Sequence, residues 1–486
     1  MAPSVAIVGA GFGGLCMAIR LERAGIRSYT VFEKADDLGG TWRDNSYPGA
    51  GCDIPSHLYS YSFERYASWT RRYPEQPEIL GYLKHCAEKY DVTGKIRFRT
   101  EVRRAVFDGA KWQVTSASPD GGGEARTEAF DVVVMGVGQL NRPSLPDIPG
   151  MAEFEGVSFH SARWNHGHDL TGRRVAVIGN GSSAAQLIPR VAERAEHLYV
   201  FQRTPNWVIP KPDAAFGRPA RLAFRFVPGL QRAYREWIFR YAEGALYPAL
   251  ARGWSEGLLR RRALRHLRDQ VPDPGLRARL TPGYPPGCKR VVIDSAFYPA
   301  LTRPNVSLVT DRITRVTAKG VETDEGSYEV GTIVCATGFM STEFLVPMEV
   351  VGLGGRSLRE RWKNGAEAYL GISVPGFPNL FLLYGPNTNL GHNSIVFMIE
   401  CQVNHVMSCL PYLAGAGPIE VRPEVMAAWR RRLDASMAGM VWGAGCRSWY
   451  KTADGRVTNN WPGPATLYRR LTALPPRPAY RAVGSG

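Results

Sequence analysis

The sequence lacks the residue spacings that hold a catalytic metal or a redox-active dithiol. Its eight cysteines include no CxxC pair, and its nine histidines show neither HxxxH nor HExxH spacing. A disulfide reductase needs paired cysteines beside its reactive group, so this class is excluded. We predict that the protein holds no metal ion and that its cysteines are free thiols in a reducing compartment.

Long apolar runs are also missing. No uninterrupted apolar stretch approaches the ~20 residues that span a bilayer. The N-terminus leads into the apolar run VAIV at residues 5–8 without a charged leader or a cleavage site, which is unlike a secretory signal. We therefore expect a cytoplasmic protein. A chain of 486 residues also predicts two or three domains.

Acidic residues are scarce in one part of the chain. The net charge is +16, and residues 218–269 contain twelve arginines but only four acidic residues. Such a basic surface attracts nucleic acid or anionic lipid. No nucleic-acid-binding module is visible, so we predict no nucleic-acid partner. Contact with a membrane surface through this segment stays open as an alternative that the sequence does not favour.

A first dinucleotide-binding fingerprint lies at the N-terminus. The sequence VAIVGAGFGG places Gly9, Gly11 and Gly14 between an apolar run and a helical pattern at residues 15–24. In this fingerprint the glycines form a tight turn, and the pyrophosphate lies over the helix N-terminus. Glu33 ends the following strand-like segment TVFEK. A carboxylate there accepts hydrogen bonds from a ribose 2′-hydroxyl and repels a 2′-phosphate, which predicts FAD or NAD.

A second fingerprint carries a different residue at the equivalent position. The sequence VAVIGNGSSA contains Gly179, Gly181 and Ala184, and the segment LYVFQRT follows its predicted helix. Arg203 stands where the first copy has a glutamate, and Thr204 is adjacent. A guanidinium binds a phosphate through two hydrogen bonds and keeps its charge, so this copy predicts NADP.

These patterns predict an α/β protein with two Rossmann-like dinucleotide-binding domains. Because a flavin held by one Rossmann unit is commonly reduced by a nicotinamide bound to another, we assign FAD to the first fingerprint. We place the first part of the FAD-binding domain at residues 1–145, the NADPH-binding domain at 150–330, and the second part of the FAD-binding domain with a C-terminal segment at 331–486. Helical periodicity at about residues 216–286 predicts a helical insertion in the second domain. Within it, Trp237, Ile238 and Tyr241 are among the apolar residues that fall close to one helix face.

Two further motifs resemble those of a known family. Residues 39–53, GGTWRDNSYPGAGCD, match the pattern [AG]GxWxxxx[FY]P[GM]xxxD of type I Baeyer-Villiger monooxygenases, in the flavin-containing monooxygenase superfamily. Residues 154–165 match that family's FxGxxxHxxxW[PD] except at Asn165. The resemblance implies an NADPH- and O2-dependent flavoprotein that converts a ketone to an ester or lactone through a C4a-peroxyflavin. Flavin monooxygenases that oxygenate nitrogen or sulfur are the alternative.

The resemblance also implies catalytic residues. Within the segment CKRVVID it places the family's essential arginine at Arg290 and a lysine for the NADPH phosphate at Lys289. A fixed guanidinium suits oxygenation of a carbonyl, because it stabilises developing negative charge and does not lose its proton in a dry site. Asp53, at the end of the first motif, is expected to hold this guanidinium in place.

The remaining expected site residues fall into two groups. The cofactors are expected to contact residues of both fingerprints and motifs, and Trp42 and Trp449 are expected to touch the nicotinamide half of NADP. Beyond those already named, the cofactor group contains Lys34, Gly40, Thr41, Ser182, Ser183 and Gln186. The expected substrate wall consists of Ile54, Leu390 and His392.

Overall fold

The first parallel sheet is built around the N-terminal strand. The structure is a computed structural model that describes residues 2–446 and 448–483. Short, fully buried runs rich in valine form the centre of this sheet, as expected for parallel strands covered by helices on both faces. Its five strands lie in the order Leu380–Leu382, Val132–Met135, Val5–Val8, Tyr29–Phe32 and Ile96–Arg97.

A second parallel sheet repeats this arrangement around the second fingerprint. Its five strands lie in the order Val306–Val309, His197–Phe201, Arg174–Ile178, Thr332–Cys335 and Val157–His160. The helix Ser182–Ala192 follows the glycine-rich turn and buries its apolar side. The two sheets are the two Rossmann-like units that the duplicated fingerprint predicts.

The pairing of the strands corrects one predicted domain boundary. The strand Thr332–Cys335 pairs with two strands of the second sheet, so a return to the first domain at residue 331 is too early. The chain has returned by Glu349–Val351, which pairs with Glu101–Phe107 from the first part of the chain. Periodicity alone could not show this, because a buried parallel strand has the same apolar pattern in either sheet. The boundaries at 145 and 150 stay predictions.

Smaller sheets and helices complete the two units. The longest helix, Ile395–Ala416, packs against Phe12–Arg23 and Ala465–Thr472. The other helices outside the insertion are Thr41–Asp44, Gln76–Lys89, Phe297–Leu301, Leu358–Arg361 and Pro423–Ala438, with single 3-10 turns at Thr93–Lys95, Met151–Glu153, Ser161–Arg163, Leu353–Gly355 and Val441–Gly443. A four-stranded sheet contains Glu349–Val351, Glu101–Phe107, Trp112–Ala117 and Arg126–Phe130, in that order. A three-stranded sheet contains Ile313–Thr317, Gly320–Thr323 and Ser327–Glu329. Two strand pairs, Val208–Ile209 with Val292–Ile293 and Ile419–Val421 with Tyr480–Ala482, form two-stranded sheets.

The arginine-rich segment forms the expected helices, and the apolar face of one helix is only partly buried. Its helices are Arg218–Phe226, Leu230–Tyr241, the π-helix Ala242–Leu246, Tyr247–Leu250, Glu256–Gln270 and Pro274–Leu280. Ile238 is buried, whereas Trp237 is 54 % and Tyr241 is 46 % exposed. Tyr234, Trp237 and Tyr241 stack in a row along the helix. The apolar face predicted for this helix is therefore only partly covered by protein.

Across residues 2–446 and 448–483, the structure contains no helix that combines the length and the apolar character needed to cross a membrane.

The cysteines correct one prediction. Cys288 and Cys446, 158 residues apart in the chain, are joined by a disulfide with their Cα atoms 6.3 Å apart. The expectation that these two are free thiols is therefore wrong, because spacing along the chain does not report which distant cysteines meet in the fold. The other six cysteines are free and buried.

We predict that this cross-link stabilises the fold. A bond between residues 158 positions apart restricts the unfolded chain strongly, and such bonds typically contribute about 2 to 4 kcal/mol. Dithiothreitol should lower the denaturant midpoint of the wild-type protein and leave that of Cys446→Ser unchanged. Cys86→Ser, at a free buried cysteine, should keep the sensitivity to the reductant. Equal sensitivity of the wild type and Cys446→Ser would contradict the cross-link.

Candidate active site

A cavity of about 1590 Å³ joins the two glycine-rich turns. Its wall includes residues of both fingerprints, of the motif at residues 39–53 and of the segment at residues 288–293. Twenty predicted site residues line it: Gly9, Gly11, Glu33, Lys34, Gly40, Thr41, Trp42, Asp53, Ile54, Gly179, Gly181, Ser182, Ser183, Gln186, Arg203, Thr204, Lys289, Arg290, Leu390 and Trp449. The fold thus brings residues from distant parts of the chain to one site.

The first glycine-rich turn needs its glycines for close packing. Gly9 has a φ of +98°, and a Cβ there would lie 2.7 Å from the carbonyl oxygen of Gly136. Gly14 does not line the cavity, and a Cβ on it would clash with the carbonyl of Gly9. Gly14 therefore acts by allowing the helix to approach the strand, which leaves the turn open towards the cavity.

Glu33 connects this turn to the neighbouring segment. Its buried carboxylate accepts hydrogen bonds from the backbone N–H of Ala10 at 2.8 Å and of Ala35 at 3.0 Å. Arg43 donates to the same carboxylate at 3.2 Å. Because Glu33 also borders the cavity, its charge is fixed at the end of the second strand, where the fingerprint places a ribose.

The motif at residues 39–53 contacts the second nucleotide unit directly. Tyr47 donates a hydrogen bond to Oε1 of Gln186 at 2.8 Å, and the Gln186 amide donates to the carbonyl of Gly51 at 2.9 Å. A Cβ at Gly49 would lie 2.5 Å from the Gln186 carbonyl, so the two segments approach closely only with glycine there. Gln186 thus links the helix of the second fingerprint to the motif of the first unit.

Two aromatic side chains border the cavity from opposite ends of the chain. Trp42 donates its indole N–H to the hydroxyl of Tyr59 at 3.0 Å, and the two rings meet edge to face. Trp449 packs against Tyr450, with 4.4 Å between ring centroids, and its carbonyl accepts a hydrogen bond from Ser341 at 2.9 Å. The indole of Trp42 is thus oriented by a hydrogen bond, whereas the Trp449 side chain is positioned by its packing against Tyr450.

The second nucleotide unit carries two cations close together. Nζ of Lys289 donates to the hydroxyl of Thr204 at 2.6 Å and lies 4.9 Å from the centre of the Tyr284 ring. Burial, together with the charge of neighbouring Arg203, lowers the pKa of Lys289. Two neighbouring cations repel each other, and an anion bound between them at the cavity wall would stabilise both.

Arg290 and Asp53 form a bidentate ion pair in the cavity wall. The guanidinium donates from NH2 to Oδ1 at 2.7 Å and to Oδ2 at 2.6 Å, and from Nε to Oδ2 at 3.2 Å. The carboxylate raises the pKa of Arg290 above its usual range, against the opposing effect of burial. The Arg290 side chain remains 27 % exposed, so part of the charge is available to a bound molecule.

Two tyrosines beside this pair were missed in the sequence. Both Tyr384 and Tyr450 interact electrostatically with Arg290, and Tyr384 also lines the cavity. Burial raises the pKa of Tyr450 to about 12 and that of Tyr384 above its usual range, so both hydroxyls stay protonated. A signal was present, because Tyr450 belongs to the SWY element and Tyr384 immediately precedes GPNTNLGHNS.

Two further predicted residues lie away from the cavity. Ala184 is fully buried under the second turn. His392, expected in the substrate wall, is buried with its Nε2 2.9 Å from Oε1 of Glu243. Burial alone would raise the pKa of Glu243, but hydrogen bonds from His392 and Asn393 lower this pKa to about 2. His392 therefore attaches its own segment of the chain to Glu243, and its neighbour Asn393 borders the cavity instead.

The cavity fits two dinucleotides. Each glycine-rich turn opens at the start of a helix, with a positive φ at Gly9 and Gly179, where backbone N–H groups can meet a pyrophosphate. One turn is followed by the carboxylate of Glu33, and the other by Arg203, beside which Lys289 lies. The first arrangement suits an unphosphorylated ribose, as in FAD, and the second suits the 2′-phosphate of NADP.

Comparisons with known proteins agree with this geometry. A family model described as flavin-binding monooxygenase-like matches residues 2–230. A Baeyer-Villiger monooxygenase of Streptomyces coelicolor is 40 % identical over 96 % of this chain and 90 % of its own length. An oxidized steroid monooxygenase bound to NADP is 33 % identical, with a TM-score of 0.85 over 97 % of both chains. A complex of OTEMO with FAD and NADP is 28 % identical, with a TM-score of 0.87 over 99 % of this chain and 100 % of its own. The chain therefore belongs to the Baeyer-Villiger monooxygenases.

Proposed function

We propose that the protein uses FAD, NADPH and O2 to convert a ketone to an ester or lactone. The observation that carries this proposal is the Arg290–Asp53 pair, which borders a cavity shared by two nucleotide-binding turns. The Baeyer-Villiger relative supports it by name, and the steroid monooxygenase and OTEMO support it by the NADP or FAD in their complexes. Oxygenation of nitrogen or sulfur is not favoured.

Each of the two nucleotide units would bind a different cofactor. Gly9, Gly11 and Glu33 would hold the adenosine diphosphate half of FAD, and Arg203 and Lys289 would hold the 2′-phosphate of NADPH. With both groups bound, the flavin supplies the means to pass electrons from NADPH to O2. The protein's own contribution is to bring the two nucleotides to one cavity.

Arg290 would act on the ketone through its charge. When the carbonyl carbon is attacked, negative charge develops on the carbonyl oxygen, and a fixed cation nearby stabilises it. Asp53 holds the guanidinium in one orientation through bidentate hydrogen bonds, and it also partly neutralises the charge. The exposed part of the side chain is then the part that a substrate meets. Ile54 and Leu390 would supply apolar contacts in the same cavity.

We predict that the purified protein is yellow and contains FAD. Glu33 and the first turn are placed for an adenosine diphosphate, which FMN lacks. Heat denaturation should release the flavin, and chromatography of the supernatant should identify FAD. Recovery of FMN alone, or of no flavin after reconstitution with FAD, would exclude the proposed use of the first nucleotide site.

We predict a strong preference for NADPH over NADH that depends on Arg203. Loss of one charge-assisted phosphate contact costs about 1.5 to 3 kcal/mol, or roughly ten- to a hundredfold in affinity. Arg203→Ala should raise KM for NADPH by this factor and leave KM for NADH nearly unchanged. Arg194→Ala, at an exposed arginine of the same unit that does not line the cavity, is the matched control. Equal damage to both coenzymes would contradict the phosphate role.

We predict that Arg290 couples NADPH consumption to product formation. Arg290→Ala should still bind FAD and NADPH, but ester formation should fall by a factor of roughly 10² to 10³, which corresponds to about 3 to 4 kcal/mol. Residual NADPH oxidation should then release hydrogen peroxide. The measurement is ester and peroxide formed per NADPH consumed, with mass spectrometry after turnover with cyclic, aryl and long-chain ketones and one thioether.

Two variants distinguish the charge of Arg290 from its position. Arg290→Lys keeps a positive charge but loses the bidentate contact, so it should retain part of the coupling. Asp53→Asn keeps the size of the partner and removes its charge, so it should bind both nucleotides and lose coupling through a less well oriented guanidinium. Near-normal ester yield per NADPH in Arg290→Ala would refute the proposed role. Oxygenation of the thioether alone would replace ketone oxidation with heteroatom oxidation.

A further inference from the structure

An exposed helical hairpin lies outside the cavity and has no role in the proposed chemistry. It consists of the helix Arg218–Phe226, a turn through Gly229, and the first turns of the helix Leu230–Tyr241. We call residues 218–235 the basic hairpin. Gly229 has a φ of +78°, which allows the chain to reverse between the two helices.

The tip of the basic hairpin exposes large apolar side chains. Leu222 is 56 %, Phe226 is 68 % and Val227 is 51 % exposed. Leu222 and Phe226 are four residues apart, so they share one face of the helix. On the second helix, Trp237 and Tyr241 form a separate exposed stack. A cluster of exposed apolar side chains of this kind marks an interaction surface.

Arginines without carboxylate partners occur in the same two helices as these apolar side chains. The four exposed arginines of the basic hairpin are Arg218, Arg221, Arg225 and Arg232. None of the four takes part in an ion pair with any residue that the structure describes. Residues 214–235 contain neither aspartate nor glutamate. The basic hairpin therefore carries an excess of positive charge, and the next carboxylate along the helix, Glu236, pairs with Arg240.

The inner side of the basic hairpin is firmly attached to the protein. Arg235 donates to the carbonyls of His57 at 2.8 Å and Ser60 at 2.9 Å, and it lies 3.8 Å from the carboxylate of Glu400. Phe224 packs against His57, with 4.4 Å between ring centroids. These contacts attach the inner side of the basic hairpin to the protein and leave Leu222, Phe226 and Val227 exposed.

We propose that the basic hairpin docks on the surface of an anionic lipid bilayer. Phe226, Leu222 and Val227 would enter the boundary between headgroups and acyl chains, while the four arginines meet lipid phosphates. Exposed aromatic side chains such as Trp237 suit the level of the headgroups. This proposal concerns attachment of the protein to a surface and does not depend on the reaction in the cavity.

Charge and polarity favour a bilayer over two other occupants. If a second copy of the chain docked through the same surface, eight arginines would meet without a carboxylate from residues 214–235, which is unfavourable. A nucleic acid would satisfy the arginines but would leave Leu222, Phe226 and Val227 without an apolar partner. An anionic bilayer satisfies both parts of the surface.

The test is flotation of the FAD-loaded, full-length protein with lipid vesicles. One vesicle is pure phosphatidylcholine, and the other contains equal parts of phosphatidylcholine and phosphatidylglycerol. We expect the protein to float only with the phosphatidylglycerol vesicles, and we expect sodium chloride to weaken this binding. Absence of flotation with phosphatidylglycerol at low salt would overturn the proposal, and so would equal binding to both vesicles.

Two sets of substitutions separate charge from apolar insertion. Replacing the four arginines of the basic hairpin with glutamine should weaken vesicle binding by at least about tenfold. Replacing Leu222, Phe226 and Val227 with serine should also weaken it by at least about tenfold. The matched controls are glutamine at the exposed Arg126, Arg431, Arg432 and Arg470, and serine at the exposed Leu474. Both controls should float as the wild type does.

Folding and self-association are measured on the same samples. All replaced side chains are exposed, so each variant should keep its flavin absorbance and its rate of NADPH oxidation. The wild-type comparison between the two vesicles tests the proposal even if a variant does not fold. Equal loss of binding in the control variants would overturn a role for this surface. Sedimentation that shows a wild-type dimer, dissociated by the three serine substitutions, would assign the surface to a second copy instead.

Discussion

The ion pair between Arg290 and Asp53 is the constraint on which the site depends. Asp53 is the last residue of the motif at residues 39–53 in the first nucleotide unit, and Arg290 belongs to the part of the chain that carries the second unit. Their bidentate contact therefore joins the two units at the wall of the shared cavity. A guanidinium held in this way keeps its charge and its orientation without further rearrangement, which is the condition for efficient electrostatic stabilisation.

The segment around Arg290 connects three separate features. Lys289 reaches the second nucleotide site through Thr204, and Arg290 reaches Asp53. Cys288, immediately before them, is bonded to Cys446 near the segment that carries Trp449. Three consecutive residues thus connect the proposed coenzyme phosphate site, the ion pair and the C-terminal part of the cavity wall. A shift of this short segment would move all three contacts at once.

The sequence predicted best what depends on local geometry. A glycine-rich turn, a helix and a residue such as Glu33 or Arg203 stand at fixed spacing within one Rossmann unit, so their positions follow from the chain itself. The disulfide between Cys288 and Cys446 and the turn of His392 towards Glu243 depend on contacts between distant segments. Spacing contains no information on such contacts, and for that reason these features were missed or assigned wrongly. Tyr384 was missed for the same reason, although it stands beside a motif.

In the arginine-rich insertion, apolar periodicity predicted the helix but not the burial of its apolar face. Apolar residues on one helix face predicted a helix, and the helix Leu230–Tyr241 is present. Periodicity identifies such a face but does not identify what covers it. Here Ile238 packs into the protein, whereas Trp237 remains exposed on the neighbouring side. Protein contacts account for the anchoring of Arg235 and Phe224. Within the described residues they leave the four arginines of the basic hairpin without carboxylate partners, and Leu222, Phe226 and Val227 stay exposed. This surface is both basic and apolar, and the contacts of the fold do not use it. A partner that offers negative charge together with an apolar region explains both properties.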